Sequence, residues 1–177
     1  MKEIAAMTLG ELAALIDSHL KKKGIAVVLS GGAAVAIYSN NKYVSKDIDF
    51  IARFSLDNSA VTSAMQELGF EKKGKYYAHP DTEILVDFIP GPPSVGDQPI
   101  GEIVELELAT GSIRIISPTD SVKDRLAAFY HWGDRQGLKQ AIHIANQHEV
   151  DLDDVHDWSK EEGHAEKFIE FSRRLAE

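Results

Sequence analysis

The 177 residues suit one compact domain with at most a small appendage, and 44% hydrophobic with 27% charged residues is ordinary for a soluble globular chain. A net charge of −9 argues against a dedicated nucleic-acid binder resting on phosphate neutralisation, and no DNA-binding motif is present. There is no cysteine, hence no disulfide frame or thiolate metal site, and no apolar run approaches the roughly 20 residues that span a bilayer. The acidic, amphipathic start MKEIAAMTLGELAALI lacks the layout of a signal peptide, so a cytoplasmic location without membrane attachment is expected.

In chain order, Thr8 reads as an N-cap completed by Glu11, and Leu9, Leu12, Leu15, Ile16 and Leu20 keep helical spacing until Gly24. Lys21, Lys22 and Lys23 are then cations at a helix C-terminus. Ile25 to Leu29 reads as a buried strand, Ser30-Gly31-Gly32 as its break, and Ala33 to Tyr38 as a short helix. Asp47 to Phe54 is the second strand, and Leu56, Val61, Met65 and Leu68 mark a helix closed by Gly69. Phe70 to His79 predicts a solvated hairpin around Lys73-Gly74, and Glu83 to Ile89 a further strand. A loop from Gly91 to Gly101 leads to a hairpin, Ile103 to Leu108 and Ser112 to Ile116. Beyond Ser117-Pro118 the pattern is helical throughout: Thr119 to Trp132, Arg135 to His148, Leu152 to Lys160 and Ala165 to Leu175. The expected architecture is a mixed-sheet α/β (α+β) core over residues 1–117 with a C-terminal helical unit, 118–177, packed on it.

Chemistry concentrates in two apolar strands that carry acids. Asp47 and Asp49 are two apart on a strand, so their side chains leave one face about 6.5–7 Å apart. Asp87 interrupts the run EILVDFIP, and joins them if its strand lies alongside. Such crowded carboxylates repel one another unless a cation is shared; oxygen donors with phosphate and water suit Mg²⁺. Ser30-Gly31-Gly32 sits at a strand-to-helix turn, where glycine lets backbone N–H groups approach a phosphate. The seven histidines offer no HExxH, and His143 and His148 lie about 140° apart around a helix. Neither a Walker-type loop, a G-x-G-x-x-G fingerprint nor a G-x-S-x-G elbow is present.

Strand, Gly-Gly turn, short helix, Asp-Ile-Asp-Phe strand and later Val-Asp-Phe strand together resemble the DNA polymerase β-like nucleotidyltransferase superfamily. GGAAVAIY…VSKDIDF is most similar to its bacterial stand-alone members, including toxin-type proteins of the abortive-infection kind. The motifs run from about Ile25 to Ile89, with a looser likeness to about His148. The resemblance implies transfer of a nucleotidyl group from an NTP to an acceptor hydroxyl on RNA, protein or a small molecule, with Mg²⁺ or Mn²⁺. It implies metal binding by Asp47, Asp49 and Asp87, with Asp87 also the base, and triphosphate contacts from Ser30, Gly31 and Gly32. Lys123 would reach a phosphate, Asp134 or Arg135 would supply a later polar group, and a cognate antitoxin protein would be a partner. The chain departs from the common pattern in having Gly32 and Ala33 where many members carry Ser after Gly, and in its 14 residues between Gly32 and Asp47. The alternative is a catalytically slow protein of this fold that binds a nucleotide or a partner.

Overall fold

The computed structural model describes residues 2–177. After a single helical turn, Ile4–Ala6, helix α1 (Leu9–Lys22) begins at the predicted capping box: Thr8 Oγ1 accepts from the Glu11 N–H (3.2 Å) and Glu11 Oε2 accepts from the Thr8 N–H (2.8 Å). Strand β1 (Val27–Ser30) is wholly buried and turns at Gly31 into α2 (Gly31–Tyr38). Strand β2 (Asp47–Ala52) alternates, with Ile48, Phe50 and Ala52 in the core and Asp47, Asp49 and Ile51 on the other face. Helix α3 (Asn58–Glu67) puts Val61, Ala64 and Met65 into that core.

The predicted hairpin forms from β3 (Glu71–Lys73) and β4 (Tyr76–Ala78), followed by β5 (Leu85–Ile89). The 91–101 connection, expected as plain loop, contains a two-stranded ribbon of β6 (Ser94–Val95) and β7 (Gln98–Pro99). It is pinned by the helical unit, since Trp158 Nε1 donates to the Val95 carbonyl (3.2 Å). Strands β8 (Ile103–Leu108) and β9 (Gly111–Ile116) complete one seven-stranded mixed sheet in the order β3-β4-β5-β2-β1-β9-β8.

Four helices follow: α4 (Pro118–Trp132), α5 (Arg135–Gln147), α6 (Leu152–Glu161) and α7 (Ala165–Leu175). Ser117 caps α4 ahead of Pro118, and Gly133 ends it with φ 67°, which glycine adopts without a Cβ penalty. His148 Nε2 meets the Tyr38 carbonyl at 2.6 Å, and the Tyr38 hydroxyl donates to the Ile116 carbonyl at 2.7 Å, tying α5, α2 and β9 together. Trp132 is 85% exposed because α4 ends at that point. No helix among the described residues is long and apolar enough to cross a membrane.

Candidate active site

The register of β2 with β5 decides where the acids stand. The two strands are parallel, with Asp49 opposite Asp87 and Asp47 opposite Leu85. Register partners point the same way, and adjacent strands are about 4.8 Å apart, so Asp49 and Asp87 are direct neighbours. Asp47 stands two residues along on the same face. On the other side of β2, Ser30 is opposite Asp49, so the turn into α2 begins beside the acids. The sequence expectation that Asp87 lies alongside the Asp47/Asp49 pair matches this placement.

Gly31 carries the closest approach. Its φ is +64°, and a Cβ there would lie 3.0 Å from Asp49 Oδ2. Gly31→Ala therefore meets two obstacles, a left-handed backbone costing about 1–2 kcal/mol and a contact that pushes the Asp49 carboxylate aside. Thermal melting of the variant should show their combined cost as a lowered midpoint. Ser30 does not cap α2; its hydroxyl points back to the Asp49 carbonyl (3.5 Å). By contrast Thr8, Asp57, Ser117, Asp134 and Asp151 each cap their helix with a side chain. The start of α2, like that of α7, thus has no side-chain cap, and its dipole favours an anion.

Asp49 titrates above the usual carboxylate range. Burial is the largest cause, followed by the charges of Asp87, Asp47 and Asp124, with Lys75 opposing them. Like-charge crowding, the cause expected from sequence, ranks second. A raised folded value means the folded protein holds this proton more tightly than the unfolded chain. The resulting stability is present below the unfolded value of about 3.8 and is lost as pH rises through the raised folded value. Metal-free Asp49→Asn should lack that decline, which melting curves taken across the acid range would reveal.

Two of the charges near Asp49 went unrecognised in the sequence. Asp124, on α4, shares a helical stripe with Asp120 four residues earlier, a polar stripe on a largely buried helix that was the available signal. It is paired with its neighbour Arg125. Lys75, in the β3–β4 turn read as solvated, has its ammonium 3.7 Å from Asp87 Oδ2 and 4.8 Å from the Tyr76 ring centre. Only the pairing of β4 with β5, which sets Tyr76 opposite Asp87, reveals it.

Other expected site residues stand differently. Lys123 is buried (3% exposed) and its ammonium donates to Gln98 Oε1 and Asp154 Oδ2, both at 2.8 Å, instead of standing open to a phosphate. The reason is that β7 and α6 close over α4. Asp134 caps α5 by accepting from the Gln136 N–H (2.9 Å), and Arg135 pairs with Glu170 (2.7 Å) on the surface; neither joins the acids.

The donor chemistry around Asp49 is all oxygen, which suits a hard divalent cation. Among the described residues, no three His, Asp or Glu side chains are gathered tightly enough to enclose an ion by themselves. A Mg²⁺-type site would need only one or two of these carboxylates, with water and phosphate oxygens completing the shell. A cavity of about 670 Å³ under α1, lined by Ile4, Met7, Leu15, His19 and Glu67 among others, lies away from these acids.

No protein-family model and no curated protein matches the sequence. Solved structures do. An antigenic nucleotidyltransferase-like protein from Paracoccidioides brasiliensis is similar with a TM-score of 0.61 at 14% identity, over 78% of this chain and 75% of that one. The antibiotic-resistance factor ANT(2'')-Ia, in its solution structure, is similar with a TM-score of 0.56 at 14% identity, over 95% and 94% of the two chains. At this identity the likeness speaks to architecture, and with the mixed sheet and the helices around it the conclusion is that the chain has the nucleotidyltransferase fold.

Proposed function

We propose that this protein transfers a nucleotidyl group from an NTP to an acceptor hydroxyl, with Mg²⁺ or Mn²⁺ held by Asp49 and Asp87 and flanked by Asp47. The observation that carries the reading is the register of β2 with β5, which sets Asp49 against Asp87 beside the uncapped start of α2. The N–H groups of Gly31 and Gly32 receive the triphosphate tail, and the absent Cβ at Gly31 leaves room for the Asp49 carboxylate beside them. A hard divalent ion supplies charge neutralisation and polarises the phosphate oxygens. Asp87, half-buried and reachable, takes the proton from the acceptor hydroxyl; the oxygen bonds to the α-phosphorus and pyrophosphate departs opposite.

The fold likeness to an antibiotic-resistance factor and to a nucleotidyltransferase-like protein supports this class of reaction. The test uses each NTP labelled at either the α- or the γ-phosphate, with Mg²⁺ and total RNA or cell lysate as acceptor source. The α label should enter an acceptor with release of pyrophosphate, and EDTA should stop it. Transfer of the γ label, or undiminished activity in EDTA, contradicts the proposal.

A further inference from the structure

Sheet order separates the two substrates of the proposed reaction. The triphosphate end, at Gly31, lies on the β1 side of the acids, so an acceptor reaching Asp87 comes from the other side, over β4 and the β3–β4 turn. That turn is the basic part of an acidic neighbourhood. Lys72, Lys73 and Lys75 fall within four positions, all exposed, in a chain of net charge −9. Lys72 and Lys73 have no carboxylate partner among the described residues, and Lys72 lies 6.0 Å from the Tyr77 ring centre. Lys75 lies over Tyr76 and reaches Asp87.

We propose that this turn is the acceptor arm of the cleft and that Lys75 makes it select hydroxyls flanked by a phosphate. The inference rests on the nucleotidyl-transfer reading above. Asp47, Asp49, Asp87 and Asp124 by themselves set up a field that draws cationic acceptors and repels anionic ones. Lys73, which shares the Tyr76–Asp87 face by register and has no carboxylate partner among the described residues, and Lys75 beside it reverse that preference locally. The 3.7 Å between the Lys75 ammonium and Asp87 Oδ2 fixes the spacing. A hydroxyl delivered to Asp87 brings its immediate substituent to Lys75, and a phosphate there gains a charge-assisted hydrogen bond. The same contact draws the ammonium off the carboxylate oxygen that must meet the acceptor proton. Two sources share this chemistry, the terminal ribose of a polynucleotide and a small sugar phosphate.

The test compares wild type with Lys75→Glu and Lys75→Arg, using three probes: a short oligoribonucleotide with a free terminal hydroxyl, a pentose phosphate, and the unphosphorylated pentose. Equilibrium binding of each probe is measured without NTP, and kcat and KM are measured for α-label transfer. Wild type should prefer a phosphate-bearing probe over the free pentose by about tenfold, the factor one charge-assisted hydrogen bond gives. Lys75→Glu should erase the preference and Lys75→Arg retain it, with the change falling on acceptor KM rather than NTP KM. Preference for the oligoribonucleotide or for the pentose phosphate identifies the source. Charge-sensitive binding without transfer to any probe upholds the acceptor arm and overturns the reaction proposed above. Transfer that ignores the phosphate, or is unchanged by Lys75→Glu, overturns the acceptor arm and leaves the reaction standing. Absence of both binding and transfer with the phosphate-bearing probes also overturns it.

Discussion

Asp87→Asn should lower nucleotidyl transfer by about 10²–10⁴-fold, the range a positioned base contributes, while the metal-free protein melts no lower than wild type. The first half follows from its two proposed roles, since asparagine keeps the shape but neither accepts the hydroxyl proton nor offers a charged oxygen to a cation. The second half follows from its surroundings. Asp87 neighbours Asp49, whose carboxyl is held up partly by the Asp87 charge, so removing that charge relieves repulsion. The contact it loses, with Lys75, involves an ammonium that is 68% exposed and is worth little in water. Wild type should also gain more thermal stability from Mg²⁺ than the variant does, because a ligand that binds only the native state stabilises it by mass action. The measurements are turnover and melting of both proteins, with Mg²⁺ and with EDTA. A metal-free variant that melts well below wild type would make Asp87 a structural partner and defeat the metal-site assignment.

The largest loss of stability is expected far from the cleft, at Asp17 of α1. Its carboxylate is fully buried and holds Arg114 of β9 by a bidentate pair, while also accepting from the Arg114 backbone N–H at 2.7 Å. The guanidinium makes one further bond, to the Ile25 carbonyl at 3.2 Å. Asp17→Ala leaves a nearly buried cation with no counter-charge, which costs about 3–5 kcal/mol. For a chain of this size that lowers the melting temperature by on the order of 10 °C. Combining Asp17→Leu with Arg114→Met removes both charges and should recover most of the loss. Melting of the single and double variants checks this, and a single variant within 2–3 °C of wild type, a shift of about 1 kcal/mol, would mean the pair contributes little.

Local signals made much of this legible. The capping box at Thr8 and Glu11, the Ser117-Pro118 start of α4 and the alternation of β2 all depend on residues within a few positions of one another, and each element lies where the pattern puts it. The three acids could be proposed because charge inside an apolar strand is costly and needs a reason. What escaped depends on distant pairing. Lys123 is an unremarkable lysine on a helix until Gln98 and Asp154, 25 and 31 residues away, close over it. Asp17 and Arg114 are 97 residues apart, and nothing near either announces the other. Lys75 enters the cleft only through the β4–β5 register, and the stripe of Asp120 and Asp124 on α4 hints at Asp124 without saying that its charge reaches Asp49.

In the proposed reaction Asp49 and Asp87, flanked by Asp47, act with the start of α2 to hold a hard divalent cation together with a triphosphate. Mn²⁺ binding followed by electron paramagnetic resonance tests it without needing an acceptor. Wild type should bind Mn²⁺ weakly alone and at least about tenfold more tightly with a non-hydrolysable NTP analogue, since phosphate oxygens complete the coordination that the carboxylates begin. Asp49→Asn should lose that gain. Mn²⁺ binding that is indifferent to the analogue, or equal in wild type and Asp49→Asn, would contradict the claim.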